Sequence, residues 1–75
     1  KKKNKINIKV NGKNYTINNN YSVNELLHKL KIAKNMVAIE LNKKIVDKKK
    51  VSKIILKEKD NLEIVHFIGG GWIWT

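Results

Sequence analysis

Three consecutive glycines, Gly69-Gly70-Gly71, follow directly on the apolar run Ile64-Val65-His66-Phe67-Ile68, and only Trp72-Ile73-Trp74-Thr75 comes after them. Glycine has no Cβ, so a glycine segment passes through a channel too narrow for side chains. A glycine carboxylate is also the least hindered acyl group that a polypeptide can present. The pattern therefore points to a tail, with Gly69 and Gly70 in it, that is threaded into another protein. A phosphate-binding glycine loop is disfavoured, because such loops open a helix after a strand, and too few residues follow here to make one.

No other residues form a catalytic set. His28 falls off the apolar stripe of a predicted helix and reads as a surface residue. His66 has apolar neighbours but no second His or Cys at ligand spacing, so no metal site is expected. Glu25 is explained by helix capping and Asp60 by a turn. Glu40, Asp47, Glu58 and Glu63 show no pairing suited to acid–base work, and Ser22 and Ser52 lack an activating base. Cysteine is absent, which excludes a disulfide framework and a thiol nucleophile and fits a reducing cytoplasm.

These residues belong to a chain of 75 residues, enough for one small domain. No apolar run approaches the roughly 20 residues of a membrane span, and the basic start at Lys1 has no signal-type apolar stretch after it. The net charge of +11 suggests a polyanion partner. All 17 basic residues are Lys, however, and none is the Arg that supplies a bidentate fork for phosphates or guanine edges. With 11 Asn and 11 Ile, the composition fits the codon bias of an AT-rich genome, and the lysines are dispersed along the chain. A solvated basic surface is the favoured reading, and nucleic acid is a disfavoured partner.

Ile6, Ile8 and Val10 alternate with polar residues as in a half-buried strand. Asn11-Gly12 is the strongest short hairpin signal, and Tyr15 and Ile17 continue into a second strand. Ser22-Val23-Asn24-Glu25 is a capping box, with Tyr21 and Leu26 at the staple positions. Val23, Leu26, Leu27 and Leu30 make one helical stripe ending near Lys31. Val37, Ile39 and Leu41 mark a third strand, Ile45-Val46 a short fourth, and 62–68 the last. Residues 51–56 are ambiguous between a helical turn and an extended segment. This ββαββ…β order predicts an α+β roll of the β-grasp, ubiquitin-like type, with a mixed sheet of four to five strands and one main helix. Residues 1–68 are the expected domain and 69–75 a flexible tail leaving the central strand.

The stretches Ile8-Lys9-Val10-Asn11-Gly12-Lys13, Ser22-Val23-Asn24-Glu25-Leu26-Leu27, Val37-Ala38-Ile39-Glu40-Leu41-Asn42 and 60–71 resemble the sulfur carrier family of bacterial thiamine biosynthesis, the ThiS family. The likeness covers nearly all of 5–71, and its most specific part is the three-glycine ending after a His-Phe-Ile type strand. The resemblance implies that Gly71 carries the working carboxylate. A separate ubiquitin-activating-type enzyme adenylates it with ATP, a sulfur donor enzyme supplies a persulfide, and the resulting thiocarboxylate delivers sulfur to thiazole synthase. The carrier binds no cofactor and is a protein co-substrate, not an enzyme.

Members of that family end at the glycines, whereas here Trp72-Ile73-Trp74-Thr75 follows, and with those residues attached Gly71 has no carboxylate to activate. Removal by a peptidase and a non-native extension both remain open, and departure from the pathway is disfavoured because the glycines remain. If Leu62 and Ile64 face the helix, Val65 and Phe67 face the other side of the sheet, where an exposed Phe is a candidate docking contact. Sulfur carriage for molybdopterin or a modified tRNA base, and a Lys-rich β-grasp module that binds nucleic acid, are the alternative readings.

Overall fold

The computed structural model describes residues 4–68 and 71–74. Strand β1 (Lys5–Val10) turns through Asn11 and Gly12 into β2 (Lys13–Asn18). Both turn residues have positive φ, 51° and 82°, as a two-residue type I′ hairpin requires. The helix α1 (Val23–Lys29) follows, then β3 (Val37–Leu41), β4 (Lys44–Ile45), β5 (Asn61–Ile68) and β6 (Gly71–Trp74). The sheet order is β2-β1-β5-β3-β4, with β6 also paired to β5. The β1–β5 pair is parallel and the rest are antiparallel. The sheet is thus mixed, with one helix against it and the last long strand at its centre: the α+β β-grasp roll.

Alternation decides which side of the sheet is the core. Ile6, Ile8 and Val10 of β1, Val37 and Ile39 of β3, and Leu62 and Ile64 of β5 are buried, and they pack with Val23, Leu26 and Leu27 of the helix. Burying such side chains is the dominant favourable contribution to the fold, at about 1.5–3 kcal/mol each.

The helix is short, so its ends matter. The Glu25 N–H donates to Ser22 Oγ at 3.0 Å and the Ser22 N–H donates to Glu25 Oε1 at 2.8 Å, closing the capping box. The helix stops at Lys29, two residues before the predicted end. Lys31 has φ of 60°, its N–H donates to the His28 carbonyl, and the Ile32 N–H donates to the Leu27 carbonyl. This is a Schellman ending with Lys in the left-handed position usually held by Gly.

Residues 51–56 resolve the ambiguity as a turn followed by an extended piece, with Ile55 bridged to Ser22. The carbonyls of Ile54 and Val51 accept from the N–H groups of Val23 and Asn24 at 2.9 and 3.0 Å. Those are first-turn amides with no partner inside the helix. Val51 and Leu56 are buried beneath. The fourth strand lies at Lys44–Ile45, one residue earlier than expected, and Val46 is buried as its N–H donates to the Ile39 carbonyl. The flexible tail expected over 69–75 is met differently by the described residues: Gly71–Trp74 pairs with β5, adding a strand to the four to five anticipated. Gly69, Gly70 and Thr75 lie outside the described residues.

Candidate functional site

Strand β5 carries the site, and side-chain amides hold it along its length. At its start, the Asn61 N–H donates to Asn42 Oδ1, the Asn42 N–H donates to the Asn61 carbonyl, and Asn42 Nδ2 donates to Asp60 Oδ1, at 2.8–2.9 Å. Asp60 Oδ2 accepts from the Lys57 N–H at 2.8 Å, which confirms its turn role. Asn42 and Lys43 make the β3–β4 turn with φ of 52° and 73°.

Halfway along β5, Asn11 does what a strand residue would do. Its Oδ1 accepts from the Ile64 N–H at 2.7 Å and its Nδ2 donates to the Ile64 carbonyl at 3.1 Å. Parallel pairing with β1 covers Asn61 and Leu62, and the Asn11 N–H still reaches the Leu62 carbonyl. The Asn11 side chain then covers Ile64, and β6 takes over from Val65 to Ile68. Because β3 pairs with β5 at the same Val65 and His66, β6 occupies the opposite edge, in line with the end of β1. The sequence marks Asn11 only as a turn residue. The single hint of this second role is Asn in place of Asp, since only the amide both donates and accepts.

The end of β5 presents two faces. Ile64 is buried towards the helix. His66 follows it on that side and lines an open cleft of about 420 Å³ with Tyr15, Leu30 and Ile32; Lys13 and Lys31 border it, and among the described residues no carboxylate does. On the other face Val65 is half-buried and Phe67 is 42% exposed. Their placement follows the alternation read from the sequence. His28 is exposed on the helix. Among the described residues no group of three His, Cys, Asp or Glu stands close enough to hold a metal ion, and no helix is long and apolar enough to cross a membrane.

Gly71 opens β6 opposite Ile68, with Trp72 opposite Phe67, Ile73 opposite His66 and Trp74 opposite Val65. The acyl carbon of Gly71 is in peptide linkage to Trp72, and Gly71 starts a paired strand, separated from the end of β5 by two residues.

Comparison with known proteins agrees with this geometry. The ThiS family model matches residues 8–71. The crystal structure of a thiamine biosynthesis protein (ThiS) from Geobacter metallireducens superposes with a TM-score of 0.76 at 35% identity, covering 88% of this chain and 100% of that one. The sulfur carrier protein ThiS of Bacillus subtilis is 36% identical over 50 residues, 67% of this chain and 76% of that protein. A thiazole synthase of Magnetococcus marinus is 38% identical over 64 residues, 85% of this chain, yet the chain spans only 20% of that protein's length. The chain belongs to the ThiS family of small β-grasp sulfur carriers.

Proposed function

We propose that this chain carries sulfur for thiazole formation in thiamine biosynthesis, with the Gly71 carboxylate as its working group. The observation that carries the reading is where the family match stops. It runs through the whole β-grasp body and ends at Gly71, the residue from which an acyl group is reached without passing a side chain.

A carboxylate is a poor electrophile, so it must first be activated. In the proposed sequence a carboxylate oxygen attacks the α-phosphorus of ATP on a separate adenylating enzyme, and pyrophosphate leaves. The terminal sulfur of a donor-enzyme persulfide then attacks the acyl carbon and AMP leaves. Reductive cleavage of the resulting sulfur–sulfur bond by a thiol frees the thiocarboxylate, which passes to thiazole synthase. The carrier supplies no acid, base or cofactor. It contributes a rigid anchor in β5, clamped by Asn11 and Asn42, and a glycine tail without side chains. The need for ATP and a reducing thiol places the reaction in the cytoplasm.

Thiazole synthase as the acceptor is favoured by the likeness of this chain to one stretch of a protein of that name. Val65 and Phe67 are the proposed recognition contacts. Residues 72–75 must be removed before activation, and a peptidase cutting after Gly71 is the proposed agent. The test is pyrophosphate exchange into ATP by a ubiquitin-activating-type enzyme of the same cells. Exchange is expected with the chain ending at Gly71 and not with the chain ending at Thr75. Absence of exchange with both would overturn the reading.

A further inference from the structure

The chain has six acidic residues among 17 lysines, and four of the six have evident structural work. Glu25 closes the capping box, Asp47 Oδ1 accepts from the Lys49 N–H, Glu58 Oε1 accepts from the Asn7 N–H, and Asp60 binds Lys57 and Asn42. The remaining two, Glu40 and Glu63, stand directly opposite each other on the central pair β3 and β5, half-buried. Neither side chain makes a hydrogen bond or a salt bridge among the described residues. Like charges directly opposite each other on a sheet are destabilising, so the free protein carries an unfavourable pair that lysines nearby do not neutralise by contact.

Towards the end of β5 and across to β4 the neighbours of this pair are apolar and partly exposed. Ile45 is Glu40's partner on β4 and is 81% exposed. Ala38 and Val65 are cross-strand partners one step further along the same face, and Phe67 follows. This is the face opposite the helix, since the alternate residues Ile39, Leu62 and Ile64 are in the core.

We propose that this face is a protein-docking surface, and that its partner presents an apolar patch bearing an Arg or Lys which enters between Glu40 and Glu63. Charge complementarity selects the partner. A chain of +11 would bind polyanions almost anywhere, but a cation has one place on this face where two unengaged carboxylates meet. Entry of a guanidinium would relieve their repulsion and satisfy both with bidentate geometry. The buried core runs from Ile6 to Ile64, so a chain ending at Gly71 keeps it whole. The proposal rests on the carrier reading for the partner's identity, the adenylating enzyme of the same cells.

The experiment compares the chain ending at Gly71 with its Glu40→Gln, Glu63→Gln double variant. Urea unfolding and calorimetric binding to the adenylating enzyme are measured at two salt concentrations. The expected result has opposite signs: the variant unfolds at equal or higher urea, while its Kd rises at least tenfold and becomes less sensitive to salt. Unchanged binding by the variant would overturn the proposal alone. Tighter binding would overturn it in favour of an acidic partner surface. No binding by the unaltered chain would overturn it together with the carrier reading.

Discussion

The side-chain amide of Asn11 pairs with the main chain of Ile64 in both directions, accepting from its N–H at 2.7 Å and donating to its carbonyl at 3.1 Å. One side chain so ends the β1–β5 pairing, fills the gap before β6, and fixes the strand that precedes the glycines. Asn11 also holds φ of 51° at the hairpin, which Asn tolerates far better than Ala. Asn11→Ala is expected to lose about 2–3 kcal/mol, from two hydrogen bonds at about 1 kcal/mol each plus left-handed strain. Urea unfolding measures the loss. Hydrogen exchange localises it, with the Ile64 amide losing protection more than the Ile39 amide. A cost below about 0.5 kcal/mol would show that the two bonds contribute little.

Lys43 tests the turn chemistry from the opposite direction. It has φ of 73° in the second position of the β3–β4 turn, where Gly is the residue of choice. Lys43→Gly is expected to stabilise the protein by about 0.5–1 kcal/mol. For a domain of this size that raises Tm by several degrees, which a thermal melt followed by circular dichroism reads directly.

Ser22 is buried and closes the capping box. Ser22→Ala is expected to cost about 1 kcal/mol, and Ser22→Asp less, because the carboxylate still accepts from the Glu25 N–H. An equal loss for both would mean that burial of the hydroxyl, not capping, is what the site requires.

Phe67 separates recognition from stability. It lies on the outer face of β5 and is partly exposed, so Phe67→Ala is expected to change unfolding free energy by less than about 1 kcal/mol. Affinity for the adenylating enzyme should fall by about tenfold or more, the usual effect of removing an aromatic anchor. Unaltered affinity would remove Phe67 from the docking surface.

The strand β6 sets a further expectation. Main-chain groups of Leu62 and Ile64 face the edge held by β1 and Asn11, so by alternation those of His66 and Ile68 face β6. In the chain ending at Thr75 their amides should be protected from exchange. In the chain ending at Gly71 they should exchange much faster, while Ile64 stays protected by Asn11. Equal rates for His66 and Ile68 in the two chains would show that β6 does not cover this edge in solution.

Local signals made much of this fold readable. The alternation at Ile6, Ile8 and Val10, the Asn11-Gly12 turn and the Ser22–Glu25 box each depend on residues close in sequence, and each forms as expected. Residues 51–56 were not readable, because their conformation serves distant needs: they supply carbonyls to Val23 and Asn24 and side chains to the core. The helix ended early because Lys31 takes the left-handed position without the Gly that would have marked it. At the site, the glycines and Phe67 stood out in the sequence. The Asn11–Ile64 clamp and the facing pair Glu40 and Glu63 depend on strand register between segments far apart, which no local pattern contains.

The most direct measurement of the central claim is the intact mass of the protein purified from the cells that make it. The expected result is a chain ending at Gly71, part of which has one oxygen replaced by sulfur. Gly71 still joined to Trp72 in every molecule, in cells making their own thiamine, would contradict sulfur carriage by this chain.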